Sequence, residues 1–280
     1  MQAGIVLFNP DIQILEKSLM NLSCNCIIEH IVLVDNASDN ISEIKDLSGR
    51  FNNIILIENS LNMGIATALN QICHYVYQEL KDNWVLTLDD DSIVSGKLPE
   101  RYLYVSQHCS PGTAMITCRI NDRNVGDVRE NNGHDTEEIS YCITSGSMIM
   151  LDIWSEMGGF DEQMFIDGVD YDFCIRLNKN GYSILRINDV SISHQIGNSK
   201  RISFLGHNLL ILNHSEKRLY YIARNYTYLG IKHKQRTKWN SNVLKRIILV
   251  LLFEKNKAGK LSSMIRGIKD ARKGLMGCQR

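Results

Sequence analysis

The sequence predicts an α/β protein: a mostly parallel central sheet flanked by helices, followed by a basic, helical C-terminal extension. Three observations carry that prediction. Four short runs that are apolar but for Thr87, residues 3–8 (AGIVLF), 31–34, 54–57 and 84–88, alternate with segments of helical periodicity. Strands without a polar side belong in a parallel sheet covered on both faces. The last three runs each end in a polar cluster, and ligands of such sheets bind outside the carboxyl ends of the strands. Charge is also divided along the chain. From Ser215 onward 17 Lys and Arg face three acidic residues, a net +14, so the preceding residues carry −14 although the whole is neutral. An acidic front suits cation chemistry, and a basic tail suits contact with an anionic surface.

Taken in order, residues 3–8 form the first strand, and Asn9-Pro10-Asp11 opens a helix on which Ile12, Leu15, Leu19 and Leu22 recur. Residues 31–34 form the second strand, ending in the cluster 35–40 (DNASDN). Residues 54–57 form the third, followed by the loop 58–64 (ENSLNMG) and a helix over 65–80. Residues 84–88 are a fourth strand that runs into Asp89-Asp90-Asp91. Beyond residue 95 the pattern is mixed. Residues 114–117, 147–151, 183–187 and 191–193 read as strands, 107–138 as polar loops at the mouth of a site, and Gly158-Gly159 as a sharp turn. Residues 169–180 read as a helix stopped by Gly181, and the segment after Glu216 as helical and basic.

Composition narrows the function classes. With 44% hydrophobic and 22% charged residues in 280, the chain has the make-up of a globular protein able to bury a large core. The apolar run 247–253 is far short of the roughly 20 residues that span a bilayer, and no basic segment precedes residues 3–8. The expectation is a chain on the cytoplasmic side, peripheral on the inner face of the cell membrane through its basic extension. The eight cysteines are scattered, so buried free thiols are expected rather than disulfides, and Cys24 and Cys26 lack the partner pair of a zinc site. No GxxxxGK[ST] loop and no GxGxxG fingerprint occurs.

The sharpest feature is the Asp89–Asp91 triplet. Adjacent carboxylates repel one another unless a cation offsets their charge, and hard cations such as Mg²⁺ or Mn²⁺ take carboxylate together with substrate phosphate oxygens. The plainer reading is a solvated acidic turn; the strand before it and two neighbouring strand-end clusters favour a metal. His194 ends the stretch 190–194 (VSISH) and serves structure unless the fold brings it beside Asp91. Asp167, Asp170 and Asp172 either favour the start of the 169–180 helix through its dipole or supply a general base. Asp35 and Asn36 either cap a helix or accept from a pyrimidine N–H. Asn59, Asn62 and Gly64 either make a plain turn or approach a nucleotide closely.

Four motifs in this order resemble glycosyltransferase family 2: VDNASDN (34–40), ENSLNMGIATALN (58–70), LTLDDDS (86–92) and GGFDEQMFIDGVDYDFCIRL (158–177). With YYIARN (220–225), the chain is similar to the bacterial rhamnosyltransferase-like subgroup that builds O-antigen and other surface polysaccharides. The resemblance implies a GT-A fold, with a catalytic domain over 1–215 and the basic extension over 216–280. Within the catalytic domain, residues 1–95 would bind the nucleotide sugar and residues 96–215 the acceptor. The resemblance also implies an inverting transfer from a nucleotide sugar, dTDP-L-rhamnose, to a saccharide or polyprenyl-diphosphate-linked acceptor, with Mn²⁺ or Mg²⁺. By position, Asp35 and Asn36 would hold the base with Asn62 and Gly64 nearby. Asp89 and Asp90 would place the nucleotide or sugar, and Asp91 with Asp89 and His194 would hold the metal. Asp170 would be the base, in a segment ending with Arg176, which is placed among the substrate-binding residues. Many members carry Glu-Asp where this chain has Val169-Asp170. Rival readings are a UDP-hexose donor, a nucleotidyltransferase, for which residues 6–10 lack the Gly-rich basic loop, and nucleic-acid binding, which the −14 front opposes.

Overall fold

In a computed structural model that describes residues 1–122, 126–127, 135–194, 200–204 and 207–279, each continuous apolar run becomes a strand of one sheet, three of them central and 54–57 at its edge. The first half is a strict alternation: β1 (Gln2–Leu7), α1 (Ile12–Ser23), β2 (Ile31–Asp35), α2 (Ile41–Ser48), β3 (Ile54–Glu58), α3 (Ile65–Gln78) and β4 (Trp84–Asp89). The Asp11 carboxylate caps α1 by accepting from the N–H groups of Gln13 and Ile14. β1 pairs in parallel with β2 and β4, and β2 pairs in parallel with β3. Their carboxyl ends, Leu7, Asp35, Glu58 and Asp89, therefore share one edge.

The second half is β5 (Ile93–Val94), α4 (Leu98–His108), β6 (Thr113–Asp122), β7 (Gly126–Asp127), β8 (Thr136–Glu138), β9 (Ser147–Met150), α5 (Leu151–Glu156), α6 (Val169–Lys179) and β10 (Ser183–His194). The sheet order is β3-β2-β1-β4-β9-β6-β10-β5, with β7 on β6 and β8 on β10. β9 runs antiparallel between β4 and β6, which returns β6 and β10 to the direction of the first four strands. Buried side chains alternate between two cores. Ile5, Leu7 and Leu33 meet Leu15, Ile44 and Tyr102, whereas Val6, Val32 and Val34 meet Leu69, Ile72 and Phe173. The expected mostly parallel, doubly covered sheet is what forms.

Three details differ from the sequence expectation. Residues 183–187 and 191–193 are one strand, broken by a bulge between Arg186 and Ser191, where the Arg186 Nε–H donates to Asn188 Oδ1 at 2.9 Å. Residues 107–138 are not simply loops: β6 runs to Asp122 because β10 continues to pair with it beyond the bulge. Leu151 begins α5 rather than ending a strand. All eight cysteines are free, and Cys73, Cys118 and Cys174 are buried as expected, but Cys24, Cys26 and Cys278 are exposed.

After the β11–β12 hairpin (Lys200–Phe204 and His207–Ile211), the extension folds as three helices: α7 (Glu216–Lys232), α8 (Arg236–Phe253) and α9 (Lys257–Lys273). They share a small core of Leu219, Ile222, Ala223, Val243, Val250 and Met264. Leu229 and Trp239 join the main core instead, which anchors the basic helices to the sheet domain. Among the described residues no helix is long and apolar enough to cross a membrane.

Candidate active site

The polar clusters converge at the edge where the parallel strands end. Asp35, the last residue of β2, is buried; its Oδ2 accepts from the Ser38 N–H at 3.0 Å, and its Oδ1 has no hydrogen-bond partner. A buried acceptor without a donor is costly in a native protein, and Asp35 Oδ1 has room in its hydrogen bonding for one more N–H. Asn36, also buried, is occupied by the neighbouring loop. Its Nδ2 donates to Gly64 O at 3.1 Å, and its Oδ1 accepts from Asn59 Nδ2 at 3.0 Å. Asn62 turns that loop by accepting from the Gly64 N–H at 2.9 Å.

Gly64 has φ 87° and ψ 166°, a region essentially closed to side chains. A Cβ there would lie 2.5 Å from Phe165 O, so the loop touches the segment that precedes α6. The Ile65 N–H seals that contact with a 2.7 Å bond to Phe165 O.

The Asp triplet forms a turn after β4, closed by the Ser92 N–H on Asp89 O at 3.1 Å. The Asp89 N–H donates to Ser145 Oγ at 3.1 Å, and Ser145 Oγ lies 2.8 Å from Ser92 Oγ. Asp90 Oδ2 meets the Phe8 N–H at 3.4 Å, tying the turn to the end of β1. Asp89, Asp90 and Asp91 together offer carboxylate oxygens at this turn, the donor type that a hard divalent cation takes. Among the described residues no three His, Cys, Asp or Glu side chains converge at ligand distance. The backbone of His194 ends β10 opposite Asp122, and its side chain lies outside the described residues.

The three acidic residues around the start of α6 separate cleanly. Asp170 Oδ1 accepts from the Thr144 N–H at 3.1 Å. Burial, followed by the nearby charges of Asp89 and Asp167, raises its pKa to about 6 against the Thr144 hydrogen bond. A carboxylate with that pKa is ionised at neutral pH and is a better proton acceptor than an ordinary one. Asp167 is raised by burial against the pull of Arg218, whose Nη2 lies 3.2 Å from Oδ1. Asp172 is enclosed by Arg176 Nε (2.8 Å), Lys232 Nζ (2.7 Å) and His233 Nε2 (2.8 Å). Those partners hold its carboxyl far below the usual range although burial opposes them.

Among the described residues, Arg176 makes no bond to the strand-end cluster. Its remaining nitrogens donate to Met157 O (2.7 Å) and Gly159 O (2.6 Å) and so fix the Gly158-Gly159 turn. Thr144 and Ser145 join the Asp turn to Asp170, yet sequence reasoning missed them. The signal was only the small-residue run TSGS (144–147) before β9.

Comparison with known proteins agrees with this geometry. Residues 10–175 match the model of Glycosyl transferase family 2. The chain is 26% identical over 293 aligned positions to the dTDP-rhamnosyl transferase RfbF of Shigella flexneri, covering 98% of this chain and 96% of that protein. Among solved structures it resembles S. aureus TarS 1-349 in complex with UDP-GlcNAc, with a TM-score of 0.58, 13% identity and coverage of 98% and 83%. It also resembles the mannosyltransferase PcManGT of Pyrobaculum calidifontis in complex with GDP-Man and Mn²⁺, with a TM-score of 0.57, 13% identity and coverage of 97% and 74%. These likenesses establish the fold as GT-A.

Proposed function

Since the chain belongs to glycosyltransferase family 2, we propose that this transferase is an inverting, metal-dependent enzyme that moves L-rhamnose from dTDP-L-rhamnose onto a growing, lipid-linked surface polysaccharide such as O-antigen. The donor reading rests on the similarity to a dTDP-rhamnosyl transferase along nearly the whole length of both chains. The observation that carries the mechanism is that two consecutive residues tie Asp170 to the Asp89 turn: the Thr144 N–H donates to Asp170 Oδ1 at 3.1 Å, and Ser145 Oγ accepts from the Asp89 N–H at 3.1 Å.

In this reading the unpartnered Asp35 Oδ1 accepts the pyrimidine N–H. Asn36 and Asn62 hold the loop whose backbone at Gly64 lies against the nucleotide. Asp89 and Asp90 orient ribose and sugar. A divalent ion, Mn²⁺ or Mg²⁺, held by Asp91 and Asp89 and completed by His194, would offset charge on the departing diphosphate. Asp170 takes the acceptor hydroxyl proton as that oxygen attacks the anomeric carbon from the face opposite the diphosphate. The C1–diphosphate oxygen bond breaks as the new glycosidic bond forms, so the configuration inverts. The role we give Arg176 is to hold α6 and the Gly158-Gly159 turn.

The acceptor would be met at a membrane. α8 exposes Leu244 (56%), Ile248 (45%), Leu251 (44%) and Leu252 (55%) along one stripe, with Lys245 at its middle and Lys255 and Lys257 just past its C-terminal end. Apolar residues framed by cations suit the interface of an anionic bilayer.

Asp170→Asn tests the core of the reading. Transfer from dTDP-L-rhamnose should fall by at least about 10³-fold, within the range that general-base catalysis supplies, while dTDP binding with Mn²⁺ stays near wild type. Full transfer by that variant removes Asp170 from the mechanism. Faster turnover of a UDP-hexose than of dTDP-L-rhamnose by the wild type would replace the donor.

A further inference from the structure

The turn between residues 163 and 168 has an unusual backbone. Phe165, with φ 61° and ψ −63°, sits at the centre of a γ-turn of the rare positive-φ kind, closed by the Ile166 N–H on Met164 O at 2.7 Å. Asp167 (φ 63°) and Gly168 (φ 88°) follow in the left-handed region, and Asp170 stands two residues further on. Such a backbone persists only where its surroundings over-determine it.

Those surroundings are two adjacent side chains of α7. Asn225 is fully buried, and its Nδ2 points at three carbonyls of this turn: Met164 O (2.8 Å), Ile166 O (2.6 Å) and Asp167 O (2.7 Å). The amide cannot be reversed. Its Oδ1 accepts from Arg224 Nε at 2.9 Å, and a guanidinium nitrogen only donates. Arg224, 1% exposed, spends its other donors on Met164 O (2.9 Å) and Gly277 O (2.5 Å) and stacks over the Tyr221 ring at 4.8 Å. The opposite side of the turn rests on the donor-side loop through Phe165 O and the Ile65 N–H.

We propose that Asn225, backed by Arg224, is a positioning residue for Asp170: it holds the 164–168 turn in the one conformation that places the base against Thr144. The proposal rests on the general-base reading above. It also gives a task to YYIARN (220–225), a motif that the strand-end cluster does not use. The clamp comes from the C-terminal extension, so the basic helices complete the site of the sheet domain.

Asn225→Asp keeps the size and the acceptor for Arg224 but removes every donor and sets a carboxylate against three carbonyls. With circular dichroism confirming a folded chain, dTDP release from dTDP-L-rhamnose, with water or a saccharide as acceptor, should slow by about 100-fold, as expected for displacement of a reacting group by about an ångström. Binding of dTDP with Mn²⁺ should change much less. The loss should fall on kcat and leave KM for dTDP-L-rhamnose near wild type, a split that loss of stability alone does not produce. Should Asn225→Asp not fold, Arg218→Met loosens the same turn from its exposed end through Asp167 and should lower kcat with the same split. A folded variant with wild-type kcat overturns the clamp. If Asp170→Asn is inactive while Asn225→Asp is normal, only the clamp fails; if Asp170→Asn is active, the general-base reading fails first.

Discussion

Gly64→Ala should disturb stability and catalysis together, because one methyl group would collide with the backbone that precedes the proposed base. At φ 87° and ψ 166° an alanine is strained wherever its side chain goes, at about 1–3 kcal/mol. The new Cβ would stand 2.5 Å from Phe165 O and 2.8 Å from Phe165 Cα. Neither is a side-chain tip that can rotate away. One loop must retreat, which breaks the 2.7 Å bond from the Ile65 N–H to Phe165 O and removes about 1 kcal/mol more. The combined loss is about 3 kcal/mol, or roughly 6 °C in Tm for a chain of this size.

Gly158→Ala is the matched control. Gly158 also has a positive φ, 73°, but a Cβ there meets nothing within 4 Å, so only the backbone cost of about 1 kcal/mol applies. Guanidinium titration of both variants, with dTDP release from dTDP-L-rhamnose, separates the effects. Gly64→Ala should unfold earlier and turn over at least about 10-fold more slowly, while Gly158→Ala keeps its rate. Equal stability and equal rates for the two variants would refute the contact between the nucleotide-side loop and the turn before α6.

Other outcomes follow from the same geometry. If Asp170 must be ionised to act, kcat/KM should fall about tenfold per pH unit below about 6 and be level above it; a profile flat down to pH 5 would contradict that role. Asp172→Asn removes a fully buried carboxylate from Arg176, Lys232 and His233 and should cost about 3 kcal/mol of stability at neutral pH, the lower end for a broken buried pair because two partners are partly exposed. Because the folded pKa of Asp172 is depressed, its contribution is present above about 4 and lost as pH falls further; denaturant midpoints of wild type and variant should therefore converge in acid. Leu251→Glu with Ile248→Glu should abolish co-flotation with vesicles containing anionic lipid while leaving turnover of soluble substrates intact. Flotation equal to wild type would detach α8 from the membrane reading.

Much of the first half was legible in the sequence because its signals are local. A continuous apolar run such as 31–34 has no polar face to leave in water, so it belongs inside a covered sheet, and the polar residues at its end fall at the sheet edge. Elements whose signal is weak or shared went unread. α2 is only eight residues long, and α4 carries Pro99 beside its start. The bulge in β10 depends on how Arg186 and Asn188 meet, which is a tertiary matter. Thr144 and Ser145 have no motif of their own; they matter because β9 runs beside β4 and carries them to Asp89.

The start of α6 shows where the boundary lies. The sequence by itself determined that a helix begins near residue 169 and that Asp167, Asp170 and Asp172 surround its first turn. It also determined that Asp170 and Asp172 point to different sides, since two helical residues are about 200° apart. Which side meets the Asp89 turn was decided only when α7, more than 40 residues later, packed Lys232 and His233 around Asp172 and Asn225 against the preceding turn. Helical periodicity assigns directions around one axis, whereas charge partners and buried carbonyls from a distant helix assign each direction its surroundings, and the pKa of a carboxylate follows those surroundings.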